Sequence, residues 1–490
     1  MRTSLKIIAA LVVLVVCAAV LMSVAPQPVR ASTPAKTSQQ NARSNDPRLA
    51  KSLRFERGGW IYVHLEGSPQ DVGYQHGYLL APEIRDAFQA VKLTDTHQTQ
   101  RDWEFFRKAA REMLWPHTDP EYQQELQGIV EGLKARNVQM DLDDVVALNA
   151  MEELADYYTP YLNKKDKAQN APKLSAPGNC SAFVATGSYT KDGHPVIAHN
   201  NWTSYMHGER WNIVFDIVPQ QGHHMFMDGF PGVITSNDDF GMNDTGLLVT
   251  ETTISQFEGF DPNGKPEFVR SRKAMQYATS IDEYVSIMLD GNNGGYANDW
   301  LLADTKTGEV ARFENGLKNH KVWKTKDGYF VGSNFASDPK LIAEETSGFD
   351  STKLSSSPNA RRIRWEQLMH ENKGKIDVAM AQKFLGDHMD SYEKKEQANE
   401  RTLCGHVDVV KRGLPEWDWP AYFPGGTVQN KAADATMAKQ MSFYARTGHG
   451  CGANFAAKPF LEQHPEFNWM KPMHDMPAGP WTVFKAGEKQ

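Results

Sequence analysis

The spacing of apolar residues changes period several times along this chain, and each change predicts a different kind of element. Residues 7–24 form an almost unbroken apolar run behind Arg2 and Lys6, closed by Pro26, Pro28 and the triplet Val29-Arg30-Ala31. That basic, apolar, small-residue order is the layout of a secretory signal with cleavage before Ser32. The alternative is an uncleaved anchor helix, because about 18 apolar residues just reach across a bilayer. Residues 32–50, rich in Ser, Thr, Gln, Asn and Lys, read as a disordered leader. A strand is predicted at 60–63, followed by a mostly helical stretch to about Tyr158. Within it, Asp119-Pro120-Glu121 opens a helix whose Leu126, Ile129, Val130 and Leu133 share one face. Another helix begins near Asp141, with Asp143 and Asp144 in its first turn.

Between Pro160 and Asn179 the pattern collapses into lysines, prolines and asparagines, which predicts an exposed loop open to proteolysis. At Cys180 the chain becomes strand-like. Residues 181–189, a Lys191-Asp192-Gly193 turn and residues 195–199 read as a hairpin. Further strands are expected at 211–218, 247–254, 300–304, 310–314 and 329–331, with helices at 272–289, 360–371 and 378–388. From Gly405 onward Trp, Pro and Gly dominate, which predicts covering loops with one helix around 436–444. This succession suits a layered α+β protein better than a repeating βαβ wind.

Composition adds exclusions. The 490 residues are 40% hydrophobic and 23% charged, an ordinary globular mixture that rules out a disordered or collagen-like chain. A formal charge of −7 argues against a nucleic-acid binder working through a basic surface. The cysteines say more. Cys17 lies in the apolar run, and Cys180, Cys404 and Cys451 remain as an odd set: one bridged pair plus a free thiol, or three free thiols.

The sequence has no GxSxG elbow, Walker-A loop or HExxH helix. Gly448-His449-Gly450-Cys451-Gly452-Ala453 satisfies a GxGxxA pattern but follows no apolar strand. Cys451 among those glycines reads as a nucleophile in a tight turn or as the disulfide partner of Cys404. His223-His224 has no Cys or carboxylate at metal spacing. Asn201-Trp202-Thr203 and Asn243-Asp244-Thr245 match the glycosylation acceptor.

Cys180 stands apart, where a flexible loop meets the first residue of a strand, ahead of the small residues Ser181 and Ala182. A thiol there can attack the carbonyl of Asn179 through a five-membered ring, and water can open the resulting thioester. The product begins with Cys180, which then carries a nucleophile and an α-amine of pKa about 7.7–8.0 to act as its general base. The plainer reading is a small buried residue that starts a core strand.

Other stretches decide between these readings. They are Gly73-Tyr74-Gln75-His76-Gly77, Glu125-Leu126-Gln127-Gly128-Ile129, Asn179-Cys180-Ser181-Ala182 and the run from Ala198 to Tyr205 through His199, Asn200, Asn201 and Trp202. Pro231-Gly232-Val233-Ile234, Asp238-Asp239-Phe240, Glu251-Thr252-Thr253-Ile254, Lys431 and Gly479-Pro480-Trp481 complete the set. In this order they resemble the phospholipase B-like proteins among the N-terminal-nucleophile hydrolases. They are similar as well to the acyl-CoA:6-aminopenicillanic acid acyltransferases, a self-cleaving peptidase type. Gly405-His406-Val407-Asp408 departs from the Arg-Gly-Asp type of sequence expected there.

The resemblance implies a four-layer αββα sandwich made as one precursor. Its parts would be a signal at 1–31, a leader at 32–50, a small segment at 51–179 and a catalytic segment at 180–490, cut between Asn179 and Cys180. It implies that an amide or ester acyl group passes to Cys180 and then to water, with no metal or organic cofactor. The substrate would be a small-molecule acyl amide or lipid, met in a secreted or periplasmic setting, or in a lysosome if the source is eukaryotic. Cys180 matches the family nucleophile, and Asn334 resembles the asparagine whose amide completes the oxyanion hole. His199, Asn200 and Trp202 would line the pocket. Arg361, opening a helix, would lower the thiol pKa and hold polar groups in place. Two other readings stay open: an acyltransferase of the penicillin-acylating type, and a secreted binding protein that keeps the fold without activity.

Overall fold

Two β-sheets lie face to face in the computed structural model, which describes residues 46–166, 180–238 and 240–489. The larger runs, in pairing order, β1 (Leu53–Arg57), β2 (Trp60–Gly67), β5 (Ile213–Pro219), β6 (Met225–Gly229), β7 (Gly241–Asn243), β8 (Leu247–Thr253), β9 (Asn298–Asp304), β10 (Glu309–Asn315) and β11 (His320–Thr325). The smaller runs β12 (Gly328–Gly332), β3 (Ser181–Thr186), β4 (Val196–Ser204), β15 (Gly425–Asp434), β16 (Ser442–Thr447) and β17 (Thr482–Lys485). A separate ribbon pairs β13 (Met389–Asp390) with β14 (Lys395–Glu396).

Successive side chains leave a strand on opposite faces, so each sheet feeds two cores. Between the sheets, Tyr62, Val214 and Leu301 of the larger meet Ala182, Ile197 and Phe443 of the smaller. The outer face of the larger sheet packs on the N-terminal helices and on helices Glu267–Tyr277 and Ile281–Leu289. The outer face of the smaller packs on helices Ser357–Glu371 and Val378–Leu385. The layers are therefore helix, sheet, sheet, helix, the αββα sandwich that the resemblance implied.

Two stretches that carried the resemblance are packing devices. Helices Pro69–Leu79 and Pro120–Ala135 cross backbone against backbone through Gly73 and Gly128. A Cβ at Gly73 would stand 1.9 Å from the Glu125 carbonyl oxygen, and one at Gly128 would stand 2.4 Å from that of Gln70. Next to this crossing Glu125 is buried against Arg272 at 2.9 Å, and His76 Nε2 accepts the Gly232 N–H at 3.0 Å.

Five expectations need correction. The leader ends before residue 50, because Asp46 caps a 3₁₀ turn at Pro47–Leu49 and pairs with Arg48. The loop predicted from Pro160 begins later: Thr159–Lys165 is helical. Pro160 falls in its first turn, where a missing N–H costs nothing, and Tyr161 stacks on Tyr158. The helix predicted at 272–289 is two helices, the second capped by Ser280. The covering loops predicted after Gly405 contain β15, which joins β4 to β16 in the middle of the smaller sheet. The helix predicted at 436–444 shrinks to Ala435–Lys439, ahead of β16. The signal at 1–31 and residue Asn179 lie outside the described residues, among which no helix is long and apolar enough to cross a membrane.

Candidate active site

Cys180 precedes β3 with its backbone at φ 90°, a left-handed conformation that a β-carbon disfavours. The register pairs Ser181 with Asn200 and Ala182 with His199, which puts Cys180 level with Asn201. Its Sγ lies 3.8 Å from Asn201 Oδ1 and 3.6 Å from Glu251 Oε1. His199 brings a ring nitrogen within 4.8 Å of both that sulfur and a Glu251 carboxylate oxygen. All these side chains are buried.

Burial dominates their protonation. It pushes the Cys180 thiol well up, with the negative charge of Glu251 and Asp238 adding to the rise. It also pushes the Glu251 carboxyl well up. It holds His199 well below the usual imidazole range, helped by Lys431. His199 therefore stands beside the sulfur as a neutral imidazole, and burial disfavours the charged forms of Cys180 and Glu251.

Burial outweighs the lowering expected of Arg361, whose positive charge and a Cys180 thiolate would favour each other, and geometry shows where the guanidinium is held. The guanidinium reaches the backbone of Cys180: Nη1 donates to its carbonyl oxygen at 2.6 Å, Nη2 to Asn334 Oδ1 at 2.8 Å and Nε to Ser357 Oγ at 3.0 Å. Arg361 also lies 4.3 Å over the Trp202 ring. Asn334, just past β12, is itself left-handed at φ 69° and donates from Nδ2 to the Thr253 carbonyl at 2.9 Å.

Alternation along β4 separates the predicted pocket residues. His199 and Asn201 face inward toward Cys180, whereas Asn200 and Trp202 face the outer helical layer. Asn200 Nδ2 donates to the carbonyls of Leu385 and Leu403 at 2.9 Å each, and Trp202 Nε1 donates to Leu403 at 3.3 Å. Asn200 is therefore a strut between the end of helix Val378–Leu385 and the loop at Leu403, and Trp202 reaches the site through Arg361. The candidate Cys404–Cys451 disulfide is not formed. Both are thiols, each with its sulfur 3.6 Å from His406 Nε2. Neither Asn201 nor Asn243 is exposed to receive a glycan in the fold.

Sequence reasoning assigned no role in the site to Glu251, Asn201 or the charged cluster behind His199. Lys431 Nζ pairs with Asp228 at 2.8 Å and with Asp238, while Gln429 Nε2 donates to the same two carboxylates at 2.7 and 2.6 Å. The Ser236 hydroxyl bridges their other oxygens. His199 Nδ1 lies 3.9 Å from Asp238 Oδ2. Only the stretches that carried the resemblance pointed here, since buried polar residues leave no apolar period.

A cavity of about 320 Å³ reaches β4 at Thr203, with Trp417, Trp419 and Phe423 on one wall and Asp95, Glu152 and Asp156 on another. Trp417 meets Trp202 edge to face at 5.7 Å, which links the cavity to the Arg361 side of the site.

A family model described as phospholipase B matches residues 74–326, just over half of the chain, including Cys180, His199 and Glu251. Phospholipase B-like 2 of Mus musculus is 24% identical over 364 residues, covering 65% of this chain and 58% of that protein. Phospholipase B-like protein F of Dictyostelium discoideum is 30% identical over 177 residues, covering 34% of this chain and 31% of that protein. The chain thus spans less than two thirds of the length of either relative. Among solved structures, a mutant of conjugated bile acid hydrolase from Clostridium perfringens aligns with a TM-score of 0.30 and 13% identity, over 55% of this chain and 89% of that one.

Proposed function

The chain belongs to the phospholipase B family, and from that premise we propose that it is an acyl hydrolase whose nucleophile, Cys180, is uncovered by self-cleavage before that residue. The observation that carries the reading is the setting of Cys180. Its thiol is buried beside His199 and Glu251, its carbonyl is gripped by Arg361, and its own backbone is held at φ 90°. Such a conformation costs about 1–3 kcal/mol, strain that cutting the preceding peptide bond would release.

In the uncut chain the nitrogen of Cys180 is an amide, so a different group must take the thiol proton. His199, held neutral by burial, can accept it. The sulfur bonds to the preceding carbonyl carbon, the C–N bond breaks, and the nitrogen takes up a proton to become the α-amine. Water then opens the thioester, leaving a carboxylate on Asn179 and a free thiol on Cys180. In the mature enzyme the α-amine serves as base, a substrate acyl carbon takes the place of the Asn179 carbonyl, and the Asn334 amide steadies the oxyanion.

The aromatic wall of the adjoining cavity supports a substrate with an apolar acyl chain. Burial pushes Glu152 up to about 7 and Asp95 and Asp156 well up, which lessens the negative charge these acids present to the cavity. They favour an amide- or hydroxyl-bearing head group over an anionic one. Residues 1–31 would direct the chain to a secreted or periplasmic location.

The test is to trap the acyl intermediate. Mature enzyme mixed with an activated acyl ester and quenched in acid should carry one acyl group on the peptide that begins with Cys180. Turnover with the acyl group on a different residue, or with no adduct, would contradict the reading.

A further inference from the structure

A second cluster of ligand-type side chains lies in the chain after helix Val378–Leu385. His388 follows that helix, Cys404 and His406 share one loop, and Cys451 follows β16. One ligand atom from each of the four lies within 4.8 Å of all the others. His406 Nε2 is 3.2 Å from His388 Nε2 and 3.6 Å from each of the two sulfurs.

Hydrogen bonding does not account for this convergence. A ring nitrogen carries one N–H or one lone pair, and His406 Nε2 faces three ligand atoms at once. A central cation does account for it. With bond lengths of about 2.3 Å to sulfur and 2.0–2.1 Å to nitrogen, a tetrahedral ion sets its ligand atoms roughly 3.3–3.8 Å apart. The spacings around His406 Nε2 match that edge length closely. The Ala453 N–H also donates to Cys451 Sγ at 3.4 Å, as backbone amides do to metal-bound thiolates.

We propose that His388, Cys404, His406 and Cys451 bind one zinc(II) ion as a closed Cys₂His₂ site. Two thiolates and two imidazoles in tetrahedral array select zinc over harder cations. Four protein ligands leave no position for substrate, so the role is structural. The ion joins three chain segments that no continuous strand connects. Its loop includes Leu403, whose carbonyl accepts from Asn200 and Trp202, and Gly405, where a Cβ would stand 2.0 Å from the Trp202 ring. The site therefore braces Trp202, the platform under Arg361.

Elemental analysis of the full purified chain, after gel filtration in metal-free buffer, tests this directly. About one zinc ion per chain is expected, released stoichiometrically when an organomercurial titrates the thiols. Cys451→Ser and His388→Ala should each reduce the bound zinc at least tenfold. Cobalt(II) loaded into the wild-type chain should show the visible absorption of a tetrahedral S₂N₂ site. The proposal is overturned if the wild-type chain holds no zinc and binds no cobalt with that spectrum, whether Cys404 and Cys451 are then bridged or free. Zinc retained in both variants overturns it equally.

Discussion

Arg361 and Cys180 are joined by a hydrogen bond of 2.6 Å from a guanidinium nitrogen to a main-chain carbonyl, so this arginine positions the nucleophile without touching its sulfur. The same guanidinium holds Asn334 Oδ1 at 2.8 Å, fixing the two groups relative to each other. A lysine has neither the planar fork nor the reach to hold both. Arg361→Lys should therefore slow both self-cleavage and turnover by about a hundredfold, equivalent to ~2.7 kcal/mol. Rates of fragment appearance on gels and of ester turnover check this, and wild-type rates in the lysine variant would remove the positioning role.

Asn334→Ala removes the carboxamide and with it the oxyanion donor. Steady-state kinetics should show kcat falling about 10²–10³-fold with KM little changed, because the interaction strengthens only in the transition state. An increase confined to KM would instead make Asn334 a substrate-binding residue.

Lys431→Met would leave Asp228 and Asp238 buried side by side without their cation. Urea unfolding should show a loss of ~3–5 kcal/mol, the usual cost of stripping one partner from a buried ion pair. Adding Asp228→Asn and Asp238→Asn to Lys431→Met should restore much of it, since neutral amides remove the repulsion.

Much of the layered architecture was legible because β2, β5, β8 and β9 carry apolar residues in the ordinary strand pattern, and Asp119, Asp141 and their neighbours mark helix starts plainly. The smaller sheet was half hidden. β15 reads GGTVQNKAAD, and its Gln429, Asn430 and Lys431 look like loop residues until Asp228, Asp238 and the Gly448 carbonyl appear as their buried partners. The position of Cys180 after a loop singled it out, but only the stretches that carried the resemblance favoured a nucleophile over a buried residue that starts a strand. Glu251 was not, because a single buried acid in a strand has no period of its own. Asn200 was misplaced for a simpler reason: adjacent residues on a strand point to opposite faces, so it and His199 cannot both line one pocket.

His64 and Asp216 supply a pH test. The imidazole Nδ1 lies 2.6 Å from the carboxylate, which raises the His64 pKa above its ordinary value. A raised folded-state pKa stabilises fully below the unfolded value, and that stability is lost as pH rises through the folded one. His64→Gln should therefore lower Tm relative to wild type near pH 5.5 and lose most of that difference at alkaline pH. Buried neutral histidines such as His76 and His199 are present in both chains and cancel in the comparison. A difference that grows with pH would reverse the assignment.

Self-cleavage before Cys180 is the central claim, and N-terminal sequencing of the larger fragment, run beside the intact mass of Cys180→Ala, tests it most directly. Purified precursor should cut itself at a rate independent of its concentration and yield a fragment beginning Cys-Ser-Ala-Phe, while the alanine variant stays whole and inactive. An active single chain with Cys180 still internal, or an alanine variant cut at the same bond, would contradict the account.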